Sequence, residues 1–357
     1  MISFRKATAD YEEWLGRQIR LVPEDLKRKH AVMREALFPF LRATFYRWAQ
    51  LWPEVAAEAA NAPEVLAIGD LHVENFGTWR DAEGRLVWGI NDFDEACRMP
   101  YTIDLVRLAA SAHLAIDSDH LRIAHDDACA AILDGYRAGL ESGGQPWVLA
   151  GKHDWLRDMV GPNLRDPRMF WQKLTSLPDF EGAIPRPARR GIEKLMPRGS
   201  AFRTTHRIAG MGSLGRQRFV GLTEYKGGMI AREAKALASS AWHWASGQKD
   251  KEIRYQKILN ISVRDPDPFV RLEGNWIVRR LAPDCSKINL ELFPKQRDEQ
   301  KLLHAMGWET ANCHLGSGRA KQILKDLTQR KPSWLHSAAT LMCTAIGSDW
   351  KAWRGKV

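Results

Sequence analysis

Two stretches, Gly69-Asp70-Leu71-His72-Val73-Glu74-Asn75 and Ile90-Asn91-Asp92-Phe93-Asp94-Glu95, decide how this chain is read. A short apolar run, Val65-Leu66-Ala67-Ile68, leads into the first and stops at Gly69-Asp70. Between them, Asn75 to Trp79 and Arg85 to Ile90 read as strands, and Asp81-Ala82-Glu83-Gly84 has hairpin-turn chemistry. A hairpin returns its second strand beside the start of its first, so Asn75 and Asp92 are expected to be neighbours. Asp70 lies on the loop feeding the same corner, and Asp94 and Glu95 follow closely. Oxygen donors in this number suit a hard cation, most naturally magnesium carrying a phosphate, with one carboxylate left to accept a hydroxyl proton. The plainer alternative is two unrelated acidic turns.

Outward from this core, Glu24 to Leu51 predicts a helix, with Val32, Leu37, Phe38, Leu41, Phe45 and Trp48 at three- and four-residue spacing. Tyr101 to Ile116 predicts another, opened by Asp104, and Leu121 to Leu140 and Asp154 to Met159 are further helical stretches. Leu177 to Ser200 holds four prolines and three glycines and reads as a linker. Beyond it comes Gly210-Met-Gly212-Ser213-Leu-Gly215. A glycine pattern of this kind is weak alone and also fits a dinucleotide-binding turn. Here Arg218 to Thr223 and Met229 to Ala231 read as strands, and strand, glycine turn, strand is an arrangement whose backbone N–H groups cover nucleotide phosphates. The next strand should carry a phosphate cation, and Arg232 and Lys235 are the two candidates. Arg cannot simply stand in for Lys, because its planar fork binds phosphate differently. The segment from about 298 to 316 is again helical.

The 357 residues suggest two domains, or one large bilobal unit, at roughly 150 residues per domain. A composition 45% hydrophobic and 27% charged excludes a disordered chain. The five cysteines form no CxxC pair, so neither a disulfide framework nor a cysteine zinc site is expected, and a reducing cytoplasm fits best. The amino terminus lacks a signal peptide's apolar core, and Ser337 to Ser348 is too short and polar to span a bilayer. The net charge of +10 permits an anionic ligand or nucleic acid and selects neither. Trp242-His-Trp244 and Trp350 to Lys356 interleave aromatics with charge, as single-strand binders do, but helix packing is the expected role and nucleic acid is not the expected partner. The eleven histidines show no spaced ligand set, and His304 and His314 read as helix-face residues.

The loop and hairpin resemble the catalytic core of the protein-kinase-like superfamily, particularly aminoglycoside and choline kinases, whose loop runs His-Gly-Asp-Leu-His-x-x-Asn before a hairpin and Ile-Asp-Phe or Ile-Asp-Trp. Ile68 stands where that loop begins with histidine. The resemblance implies Asp70 as catalytic base with His72 in the loop, and Asn75 and Asp92, with Asp94 assisting, as magnesium ligands. It implies an ATP phosphate site at Gly210, Gly212, Ser213 and Gly215, with Arg232 or Lys235 as the cation, and makes Asp104 a structural aspartate. In those kinases the glycine loop comes first, whereas here it follows the catalytic loop by 140 residues. Gly307-Trp-Glu-Thr-Ala-Asn-Cys-His314 looks like the helix that leads into their catalytic loop.

The fold implied is therefore α+β, bilobal, kinase-like and circularly permuted. Residues 1–200 form a helical large lobe, 201–295 a small β-rich lobe, and 296–357 helices returning to the large lobe. Over roughly 30–320 the chain also resembles an uncharacterised bacterial family, domain of unknown function 2252. The marks are Phe38-Pro-Phe-Leu-Arg42, the two acidic stretches, Gly210 to Gly215, Arg232-Glu-Ala and Val278-Arg-Arg-Leu. That family often has Lys-Glu-Ala at 232–234 and a Met-Lys-Gly-Ser run where this chain has Asp284-Cys-Ser-Lys287.

The expected function is an ATP- and magnesium-dependent phosphotransferase acting on an unidentified hydroxyl acceptor. By analogy with the small-molecule kinases, that acceptor is a small hydroxylated metabolite. A catalytically weak, pseudokinase-like nucleotide-binding regulator is the alternative, followed by a basic nucleic-acid-binding protein.

Overall fold

A computed structural model describes residues 2–293 and 298–355. The expected boundary at 295/296 lies outside the described residues. The fold is α+β. Strands β1 (Glu64–Ala67), β2 (Phe76–Arg80), β3 (Leu86–Ile90), β4 (Cys97–Pro100) and β5 (Trp147–Val148) form two small sheets, β1-β4 and β2-β3-β5. Strands β6 (Arg203–His206), β7 (Arg218–Tyr225), β8 (Gly228–Ala236), β9 (Val270–Glu273) and β10 (Trp276–Leu281) form an antiparallel sheet in the order β6-β7-β8-β10-β9. Among the described residues, no helix is long and apolar enough to cross a membrane.

The β2–β3 hairpin follows the expected register, with Phe76 opposite Ile90. Its base rests on a helical body built around Thr102–Asp117, His125–Ser142, Glu299–Leu315 and Trp334–Arg354. The second and third of these helices pack closely because glycines face the contact: a Cβ at Gly307 would collide with the Ile132 carbonyl, and one at Gly135 with that of His304. Trp244 lies against Tyr11 and Tyr46, and Trp353 against Phe4, so both act as packing residues.

Two sequence expectations change. The helix expected over 24–51 is three helices, Pro23–Glu35, Leu37–Ala43 and Phe45–Val55, because Ala36 is extended and Thr44 leaves helical geometry. The glycine segment, expected as a turn between strands, contains a single 3₁₀ turn, Met211–Ser213.

The linker expected over 177–200 contains a helix, Arg186–Leu195. Pro187 sits in its first turn, where a missing N–H costs nothing, so proline here starts a helix instead of breaking one. Ala188, Gly191 and Ile192 pack on the sheet; a Cβ at Gly191 would come within 2.6 Å of Val278. On the opposite face, Phe170 and Leu174 of helix Pro167–Thr175 cover Val220, Leu222, Ala231 and Leu281. Two helices that precede the 200/201 division thus belong physically to the sheet.

Glu309 ties the helical body to the hairpin. Its Oε1 accepts from the Ile90 N–H at 3.3 Å and its Oε2 from Asn312 Nδ2 at 2.7 Å. Burial pushes this carboxyl up from 4.5 to about 7. Because the folded value is the higher, its favourable contribution is complete below 4.5 and is lost as pH rises through 7. At 1.36 kcal/mol per pH unit, that loss is roughly 3 kcal/mol. Urea unfolding at pH 5 and pH 8 is expected to show it in the wild type and not in Glu309→Gln. An unchanged pH slope in the variant would refute this assignment.

Candidate active site

The loop after β1 is fixed from behind by one face of helix Thr102–Asp117. Asp104 accepts from the Ile68 and Gly69 N–H groups, both at 2.7 Å, and lies 2.9 Å from His314 Nε2. His314, read from the sequence as a helix-face residue, is fully buried and also bonds the Tyr136 hydroxyl at 2.7 Å. It supports the loop from the far end of the chain, where Ile68 cannot. Three residues beyond Asp104, the buried Arg107 donates through Nε and Nη2 to Asp70 Oδ1, the Nε bond at 2.9 Å. One turn further, Ser111 accepts from the Val73 N–H at 3.0 Å. Residues at i, i+3 and i+7 of one helix therefore orient the whole loop.

Asn75 and Asp92 meet as expected. Asn75 Nδ2 donates to the carbonyls of Asp70 and Asp92, each at 3.1 Å. Its buried Oδ1 has no hydrogen-bond partner among the described residues. A buried amide oxygen without a donor is costly, and a cation is one group that would satisfy it. Asp92 Oδ2 lies 2.9 Å from Lys287 Nζ and Oδ1 3.2 Å from Lys235 Nζ, which also reaches Asp94 Oδ1 at 2.6 Å. Burial opposes ionisation of Asp92, but the two ammonium groups prevail and hold its carboxyl well below the usual range. Burial and the Asp92 charge push Asp94 the other way, upward. His72 is buried in the cavity wall, where burial first and then Arg42 and Lys287 keep it neutral. Glu95 anchors structure: it accepts from the Ala241 N–H at 2.7 Å and pairs with Arg216 at 3.1 Å.

The glycine turn lies over this acidic group. Gly210 and Gly215 take positive φ, 77° and 93°, which side chains other than glycine rarely adopt. A Cβ on Gly212 would come within 3.3 Å of Asp70 Oδ2. Ser213 fixes the turn, accepting from Arg218 at 2.7 Å and donating to the Gly210 carbonyl at 3.2 Å. The enclosed cavity is only about 40 Å³ and is lined by Asp70, Asn75, Asp92, Gly212 and Lys287, among others. It meets a second cavity of about 470 Å³ at Asp92, Gly210 and Lys287, whose walls include Trp79, Phe93 and Tyr255.

Of the two candidate cations, Lys235 faces the acidic group and Arg232 does not. Three residues apart on a strand, they point to opposite sides of the sheet. Arg232 Nε donates to the Leu195 carbonyl at 2.8 Å, at the end of helix Arg186–Leu195, and its guanidinium stacks 4.3 Å from the Phe269 ring centre. Arg42, Arg107 and Lys287 join the site from elements that no local motif connects to it, and sequence reading did not find their roles.

Residues 20–161 match the model of a family described as "Uncharacterized protein conserved in bacteria (DUF2252)". The match takes in the loop, the hairpin and helix Thr102–Asp117, and stops before the five-stranded sheet. No curated protein and no solved structure matches the chain significantly.

Proposed function

We propose that this protein is a phosphotransferase of permuted, kinase-like bilobal fold that uses ATP and magnesium. The observation that carries the reading is the convergence of Asp70, Asn75, Asp92 and Asp94 with residues 210–213 of the glycine turn on one cavity, with Lys235 paired to Asp92 and Asp94. Those parts come from two segments more than a hundred residues apart in the chain. The lysine lies on the third strand of the sheet in chain order, after the glycine turn, as in protein kinases.

The oxygen donors fit a hard cation, with Asn75 Oδ1, Asp92 and Asp94 as the residues that would hold it. Bound magnesium would supply charge neutralisation across the nucleotide phosphates. Lys235 and Lys287, which pair with Asp92, would also face the phosphates that such a cation carries. The larger cavity, with its aromatic wall, is of a size for the nucleoside. Asp70 keeps Oδ1 on Arg107 and turns Oδ2 toward the glycine turn, where it would take the proton of an acceptor hydroxyl.

Saturation with ATP and magnesium, at about a hundred times the dissociation constant, should stabilise the protein by about 2.7 kcal/mol. This reads out as a rise of several degrees in the melting temperature, with Asp92→Asn removing the magnesium-dependent part. No shift with millimolar ATP and magnesium would sink the reading. A second reading, a nucleotide-binding regulator with little catalysis, is favoured by the two lysines already neutralising Asp92. It expects a shift of equal size without magnesium and no phosphate transfer in a broad acceptor screen.

A further inference from the structure

Away from this cavity, three helices of the body bring together a group of metal-ligating side chains. His113 comes from helix Thr102–Asp117, Cys129 from His125–Ser142, and His336 from Trp334–Arg354. One donor atom from each lies within 4.8 Å of the other two. His113 Nε2 is 3.3 Å from Cys129 Sγ. A third imidazole, His125, stands one helical turn before Cys129, its ring centre 4.3 Å from that of His113. The rings of His113 and His336 are 5.2 Å apart.

We propose that His113, Cys129 and His336 form a structural site for a borderline-soft divalent cation, zinc above all, with His125 positioned to complete a tetrahedral set. Zinc–sulfur and zinc–nitrogen bonds of about 2.3 and 2.0–2.1 Å put neighbouring donors about 3.3–3.7 Å apart. The His113–Cys129 pair already meets that spacing, and the third donor needs only a small side-chain adjustment. The carboxylates around the group support this chemistry. Asp126 Oδ1 lies 3.1 Å from His336 Nδ1, and Asp117 Oδ1 lies 3.1 Å from His125 Nε2. Neither contact has hydrogen-bond geometry as it stands, but a carboxylate beside one ring nitrogen is the neighbour that zinc-bound histidine usually has.

The electrostatics favour ligation by one buried group and oppose it at the other. Burial, reinforced by the other two histidines, pushes His113 down to about 4, so its imidazole is neutral at physiological pH. Burial pushes the Cys129 thiol up to about 12, so a bound metal would have to displace its proton. His336 is about one-third exposed, which gives an ion a route from solvent. The missing CxxC pair argued against a cysteine zinc site only for a local motif; this group spans residues 113 to 336. The site would clamp the helix whose other side carries Asp104, Arg107 and Ser111, and it is independent of what the active site binds.

The test uses full-length, tag-free protein stripped with a chelator and titrated with cobalt(II), then zinc(II). One cobalt per chain is expected, with a thiolate-to-cobalt charge-transfer band, release of protons, a higher melting temperature, and displacement by zinc. Cys129→Ser should lose the charge-transfer band, and His336→Ala should weaken binding by more than the roughly 10- to 100-fold that losing a group outside the ligand set costs. If the wild type takes up no stoichiometric metal, or Cys129→Ser keeps the band, the proposal is overturned. The wild-type titration decides the matter even where a variant folds poorly.

Discussion

Asp70→Asn is expected to lower phosphate transfer by about 10²- to 10⁴-fold while leaving nucleotide-dependent stabilisation intact. The reasoning is local. Arg107 and the glycine turn bracket the Asp70 carboxylate, and the asparagine amide keeps its size and can still accept from Arg107, but it cannot take a proton. Single-turnover transfer to the acceptor, once one is found by screening, is the measurement, with the nucleotide-induced melting shift run beside it. Transfer within twofold of wild type would remove Asp70 from the role of base. Loss of both transfer and the melting shift would instead mark the residue as structural.

The largest effect on stability is expected from Glu233→Ala. Glu233 is wholly buried on the active-site face of β8 and bonds Arg207, Arg218 and Arg279, the last two at 2.5 and 3.1 Å. Burial disfavours its charge, yet three guanidinium groups prevail and hold its carboxyl well below the usual glutamate range. Removing the carboxylate leaves three arginines facing one another without their shared anion, a change that typically costs about 3–5 kcal/mol. Urea unfolding at pH 7 should find that loss. The depressed folded value also fixes the sign with acid: the stabilisation is present above the ordinary glutamate range and is lost as pH falls toward the folded value. An unfolding midpoint equal to wild type at pH 7 would show that the arginines find other partners.

Much of the local geometry was legible in the chain because it depends on short-range rules. The Asn75–Asp92 meeting follows from a hairpin of known turn chemistry. The choice between Arg232 and Lys235 was also within reach, since strand alternation forbids both from facing one site. The linker reading failed because proline counts alone do not separate a loop from a helix start. What stayed hidden is long-range. Arg107 is 37 residues from Asp70 in sequence, Lys287 is 195 from Asp92, and the His113–Cys129–His336 group draws on three helices. Nothing in local periodicity connects such positions; only the packed helices do.

The bond between Asp104 and His314 crosses 210 positions of sequence, and Glu309 reaches Ile90 across 219. On the ribosome, at roughly 5–20 residues per second, the loop around Asp70 thus emerges about 12–50 seconds before His314. A nascent chain ending before Glu299 already contains Asp70, Asn75, Asp92, Asp94, Lys235 and Lys287. It still lacks the imidazole beside Asp104 and the carboxylate on Ile90. The order of synthesis thus makes the loop's support the last part of the active site to arrive.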